Sequence, residues 1–185
     1  AEYGKPLWLP DESGFFFRSD EGRDFTNVRF YNLKEGKVEN LFSPEWEVEA
    51  CSLTLDGKLL SVNVNEEGYS VVHVFETNPY REVEGLYIKK GFMSSLRGSS
   101  DGKFAAFDFD SATKPSDVWV WAREEKKVWQ VTKTKRGIEE SVFVEPELIH
   151  YPSFDGLNIP ALVLLPKEKK EQIPAIVAIH GGPEG

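Results

Sequence analysis

The chain has 185 residues and a formal net charge of −9 at pH 7. That balance argues against nucleic acid as a partner and reports solubility before it reports a basic ligand. Hydrophobic residues make up 40% and charged residues 29%, as in a soluble protein long enough to bury a core, in one domain or one domain plus a piece of another. Cys51 is the one cysteine, so no internal disulfide can form and a reducing, cytoplasmic setting is the simplest reading.

No apolar stretch approaches the roughly 20 residues needed to span a bilayer, so no membrane contact is expected. The first residues, Ala1-Glu2-Tyr3-Gly4-Lys5, lack the basic-then-apolar order of a secretory signal; because the chain does not begin with Met, a removed signal stays open. Abundant Lys and Glu, with one Met, lean toward a thermophilic source.

Three stretches share a turn followed by an apolar strand. They are Pro10-Asp11-Glu12-Ser13-Gly14 before Phe15, Leu55-Asp56-Gly57 before Leu59, and Ser100-Asp101-Gly102 before Phe104. Gly14, Gly57 and Gly102 read as the turn glycines, spaced 43 and 45 residues apart, because a tight Asp-Gly turn needs a positive φ. A first strand precedes the later turns, over 48–53 and 92–96. A third strand falls at 27–33, 69–75 and 117–121, rich in β-branched and aromatic residues. A short fourth strand falls at 38–42, 83–87 and 127–131.

Four strands in about 44 residues match a β-propeller blade. Residues 1–140 therefore predict a partial propeller of about three four-stranded blades. With no sustained 3.6-residue period, almost no helix is expected there. A sandwich with regular hairpins is the alternative. Three blades form an arc with open edges, which predicts either a part of a larger ring or self-association.

The repeat breaks near residue 141. A new hairpin follows, 147–154 and 157–166 around Asp155-Gly156, then a solvated charged loop over 167–171. The apolar run 176–179 reads as a strand covered on both faces, as in an α/β sheet. It leads into His180-Gly181-Gly182-Pro183-Glu184. In α/β-hydrolases, a His-Gly-Gly loop at the end of a central strand offers a backbone N–H to a developing oxyanion.

The run from Pro146 to Gly156, Ile159-Pro160-Ala161, Leu165-Pro166 and His180-Gly181-Gly182-Pro183-Glu184-Gly185 resemble the start of the catalytic domain of prolyl-oligopeptidase-type serine peptidases. The His-Gly-Gly-Pro form is more similar to the acylaminoacyl-peptidase and dipeptidyl-peptidase-like branch. The resemblance implies a mainly β chain, with blades over 1–140 and the first strands of an α/β-hydrolase domain over 141–185. It implies that Gly182 supplies the oxyanion N–H and that Gly181 permits close approach. His180 would shape the loop without being the catalytic base. Pro183, where many esterases have a third glycine, favours a peptidase over a lipase. The family's Ser, Asp and His would all lie beyond Gly185.

Other candidate residues read as structural. Gly98-Ser99-Ser100-Asp101-Gly102 fits a Gly-x-Ser-x-Gly elbow, but a strand follows where an elbow needs a helix, so Ser100 reads as a turn residue. His73 and His150 read as strand residues. Cys51 reads as a packed strand position. Asp108 and Asp110 share one strand face, as do Trp119 and Trp121, for which packing between blades outranks a stacking platform. Three His and one Cys show no metal-ligand spacing, and no cofactor is expected.

The resulting expectation is part of a serine peptidase that hydrolyses short peptides by acyl transfer, with the propeller restricting access to the site. The 185-residue chain alone is expected to be inactive. It is expected to self-associate or to join the remainder of a longer polypeptide. One alternative is a propeller interaction module, which needs a closing blade strand after Pro146. The other is a related esterase.

Overall fold

The computed structural model describes residues 1–83, 86, 88, 90–94, 96–168 and 172–179. Its strands form three successive antiparallel sheets, each meandering in chain order, and one separate hairpin. The first sheet holds β1 (Leu7–Trp8), β2 (Gly14–Ser19), β3 (Asn27–Asn32) and β4 (Lys37–Phe42). The second holds β5 (Glu47–Leu53), β6 (Leu59–Glu66), β7 (Tyr69–Thr77) and β8 (Tyr80–Val83). The third holds β9 (Phe92–Met93), β10 (Arg97–Gly98), β11 (Phe104–Asp110), β12 (Asp117–Ala122) and β13 (Lys127–Gln130). Among the described residues the only helical element is a 3₁₀ turn, Glu140–Val142.

Three predicted details are corrected. Gly14 is not a turn glycine, because it opens β2 and the left-handed position of that turn belongs to Glu12, with φ 59°. Glu12, Gly57 and Gly102 are then spaced by 45 residues each. Gly14 is glycine for another reason. A Cβ there would sit 2.2 Å from the Tyr31 carbonyl oxygen.

The constant residue of the turn is its aspartate. Asp11, Asp56 and Asp101 each accept a hydrogen bond from the backbone N–H two residues on, at 3.0, 3.1 and 3.2 Å. Asp155 repeats this in the later hairpin, at 3.1 Å from Leu157 N. This Asx-turn geometry lets a non-glycine hold the bend in the first unit.

The fourth strand of the second sheet is described over Tyr80–Val83; of the predicted 83–87, residues 84, 85 and 87 lie outside the described residues. The hairpin after β7 is tight, pairing Thr77 with Tyr80, so the strand starts early. The first strand of the third sheet is split. Met93 pairs with Phe109 and Arg97 with Ala106. Between them the Ser94 hydroxyl takes over a ladder bond, accepting from Asp108 N at 2.8 Å.

The sheets stack face on face. Phe16 and Val28 of the first sheet pack with Val48, Leu60, Val62, Val64 and Phe75 of the second. The opposite face of the second sheet, with Leu59, Val72 and Val74, packs with Met93, Phe107, Phe109 and Trp121 of the third. This is why β6 is buried over six consecutive residues, Leu59 to Val64. Each fully buried Val or Leu contributes about 1.5–3 kcal/mol. Val62 and Val64, at 0% exposure, lie in the strand with most of this burial.

Polar groups cross the same seams. The Arg18 guanidinium donates to Val48 O at 2.5 Å and also to Glu49 O, and Asn63 Nδ2 donates to Met93 O at 2.8 Å. Both donors and both acceptors are 45 residues apart, so the repeat fixes the latch as well as the strands.

The predicted hairpin forms as β14 (Glu147–Pro152) and β15 (Asn158–Val163). It is a two-stranded sheet of its own, so it does not close a blade. The predicted buried strand at 176–179 does not form. Those residues carry no strand, and Ile176 and Ile179 are 97% and 87% exposed. A strand covered on both faces needs neighbours on both sides, and the described residues supply none there.

Candidate functional site

His180, Gly181, Gly182 and Pro183, the predicted oxyanion loop, lie outside the described residues. What the structure describes is how the preceding segment is held. Residues 140–167 run past the ends of the second and third sheets. His150 Nε2 on β14 lies 2.5 Å from Glu67 Oε1 in the β6–β7 turn, and a Cβ at Gly68 would meet Leu162 Cδ1 at 3.9 Å. The Thr113 hydroxyl, between β11 and β12, donates to Glu145 at 2.7 Å. The Arg136 guanidinium sits 4.5 Å from the Phe143 ring centroid, and Lys167 donates to the Ser141 carbonyl. Tyr69, at the start of β7, has its phenol pushed up by burial first and then by the Glu145 carboxylate. The segment from Glu145 into the hairpin is therefore anchored on one end of the stack, Glu145 by the third sheet and His150 by the second.

The residues read as structural take structural places. Ser100 is exposed in the turn between β10 and β11, whose Ser99 hydroxyl donates to Asp101 at 2.6 Å. His73 lies against the Phe42 ring, 4.8 Å between centroids, with Nδ1 2.7 Å from Glu82 Oε1. Cys51 packs beside the first-to-second core. Burial pushes its thiol up to about 12, against a smaller opposing pull from Arg18; at neutral pH it is a protonated thiol, not a nucleophile. Trp121 is buried between sheets and Trp119 packs beside it. Asp108 is exposed and Asp110 half-buried on the other face of β11. Among the described residues no group of three His, Cys, Asp or Glu could hold a metal ion, and no helix is long and apolar enough to cross a membrane.

Sequence reasoning missed Asp117. It is buried at the start of β12 and accepts from Gln130 Nε2, the Thr132 hydroxyl and Thr134 N at 2.8, 2.7 and 2.9 Å. These bonds, led by Thr132, hold its carboxyl below the usual range. They fix the path of the chain as it leaves the third sheet. The Thr-x-Thr after β13 was the legible signal.

No family model and no curated protein matches the chain. Solved structures do. One, of two prolyl endopeptidases, superposes with a TM-score of 0.73 at 20% identity, over 90% of this chain and 24% of that one. Its fold is that of part of a prolyl-oligopeptidase-type peptidase. Prolyl oligopeptidase B from Galerina marginata, bound to a 25mer macrocyclization substrate, matches at TM-score 0.70 and 12% identity, over 86% and 22%. Dipeptidyl peptidase 4 from Porphyromonas gingivalis matches at 0.66 and 16%, over 86% and 23%. The chain thus spans about a quarter of the length of the peptidases it resembles. At these identities the likeness to prolyl-oligopeptidase-type proteins is one of fold.

Proposed function

We propose that this chain is part of a serine peptidase in which residues 1–140 form propeller blades and residues 141–185 begin an α/β-hydrolase domain. The observation that carries this reading is the fold likeness to prolyl endopeptidases over 90% of the chain. The motif run ending in His180-Gly181-Gly182-Pro183 adds the chemistry. In the complete enzyme a serine attacks the peptide carbonyl, a histidine takes its proton, and the Gly182 N–H steadies the oxyanion. The blades restrict the site to short peptides. The lone Cys51, free of any disulfide, suits a cytoplasmic setting. The separate β14–β15 sheet disfavours the interaction-module reading, which needs a closing blade strand there.

Two measurements test this. A serine-directed covalent probe leaves the 185-residue chain unlabelled; labelling at a defined serine contradicts a triad beyond Gly185. In the complete polypeptide, Gly182→Pro deletes the N–H and lowers kcat on short peptides by about 10²–10³-fold, the usual cost of one oxyanion donor. An unchanged kcat removes Gly182 from the reaction.

A further inference from the structure

The β14–β15 hairpin does not hold itself in place. A sheet of two strands is marginal in water. This one has a proline in each strand, Pro152 and Pro160, and neither can donate a ladder bond. Five of the six residues of β14 are exposed, so little apolar surface fixes it. Its seat comes from outside, through Thr113 on Glu145, Glu67 on His150, and Gly68 beside Leu162.

Two of these three contacts come from one turn. Glu66 pairs with Tyr69, so the β6–β7 loop has two residues. Both are left-handed, Glu67 with φ 53° and Gly68 with φ 87°. Such a turn favours Asn or Asp before its glycine, because a short polar side chain eases the left-handed region. Glu67 keeps the strain, and its carboxylate reaches across 83 residues of sequence to His150 Nε2 at 2.5 Å. An ionised carboxylate only accepts, so Nε2–H is the donor. An Asn at this position would relax the backbone and fall one methylene short of the imidazole. Strain kept at a residue whose side chain touches another unit points to a use for that contact.

We propose that Glu67 and His150 are positioning residues that set the length of peptide admitted. Their bond seats the start of the hydrolase domain on the end of the second blade and keeps the gap between them narrow. This rests on the peptidase reading of the chain, in which the blades restrict the site to short peptides. The pair touches no reacting atom. When it breaks, Thr113 still holds Glu145, so the hairpin pivots away from the β6–β7 turn rather than detaching. Longer peptides then enter, while the chemistry on a short one is unaltered. The two side chains are 34% and 36% exposed, so the bond is a weak latch that opens and recloses.

The test uses the complete polypeptide and the Glu67→Asn variant, which suits the turn and should fold at least as well as the parent. Hydrogen exchange of the β14–β15 amides should speed up about two- to five-fold, the range of one partly exposed pair. The ratio of kcat/KM for a long unfolded peptide to that for a short one should rise by a similar factor, with kcat on the short peptide unchanged. His150→Phe should do the same, and the double variant should do no more than either, because both cut one bond. Glu67→Gln, which keeps an oxygen to accept from Nε2, should lie closer to the parent. Unchanged hairpin exchange in Glu67→Asn overturns the latch. Faster exchange with an unchanged long-to-short ratio overturns its role in selection. A parent polypeptide that cleaves neither peptide removes the peptidase reading, and the selection role with it, whatever the exchange shows.

Discussion

Leu60→Ala is the sharpest test of the stacked-sheet core. Leu60 is 0% exposed in the middle of β6, paired with Leu53 on one side and Phe75 on the other. Its side chain fills the seam between the first and second sheets, against Phe16 and Val28. Removing three carbons there loses the transfer energy of the side chain and leaves a cavity between two sheets that cannot close independently. The expected cost is about 2–5 kcal/mol, a large part of the roughly 5–15 kcal/mol that holds a domain folded. In urea, with a slope of about 1–3 kcal/mol/M, the midpoint should fall by about 1–2 M, read from tryptophan fluorescence. Leu55→Ala is the control, because Leu55 is 74% exposed in the turn before β6 and should cost less than about 0.5 kcal/mol. Equal costs for the two would refute the seam as the source of stability.

Two further outcomes follow from the turns. Hydrogen bonds hold the Asp11, Asp101 and Asp155 carboxyls below their ordinary value, led by the Ser13 hydroxyl, the Ser99 hydroxyl and Leu157 N respectively. A folded value below the unfolded one gives stability that is present above the unfolded value and lost as pH falls through the folded one. The melting temperature should therefore drop as pH is taken below about 4, and an Asp101→Asn variant should lose part of that slope; an identical slope would discount the turn. Glu12→Gly should stabilise the chain by about 1 kcal/mol, because it relieves a left-handed φ of 59° at a non-glycine residue. Gly57→Ala should destabilise by more than that, since its φ is 72° and the new Cβ would lie 2.4 Å from Pro10 Cδ. Thermal melts of both variants check the signs.

The strands were legible because each unit alternates or runs apolar between Asp-centred turns, and β2, β3, β7 and β12 fall within a residue or two of where composition put them. The turn register was misread at Gly14 because glycine catches the eye, whereas the physical constant is the aspartate that caps the bend. The packing of Trp119 and Trp121 between sheets was legible, but the polar latches across both seams were not. Nothing local in Arg18 or Asn63 says that its hydrogen bond ends in the next sheet, 30 residues on in each case. The split of β9 from β10 depends on one serine hydroxyl replacing a backbone group, which no periodicity records. The run 176–179 was read from apolarity alone, yet apolarity marks a strand only where partners exist to pair with it.

Within the middle sheet β6 has no face of its own to offer water. Its amides meet solvent only after a neighbour has lifted away, so opening there must begin at the outer layers and travel inward. Hydrogen exchange should therefore rank the chain by layer rather than by strand length, with the backbone of β6 surrendering its protons last. The keystone of the arc is thus its centre, and damage at either rim can be borne without the whole stack letting go.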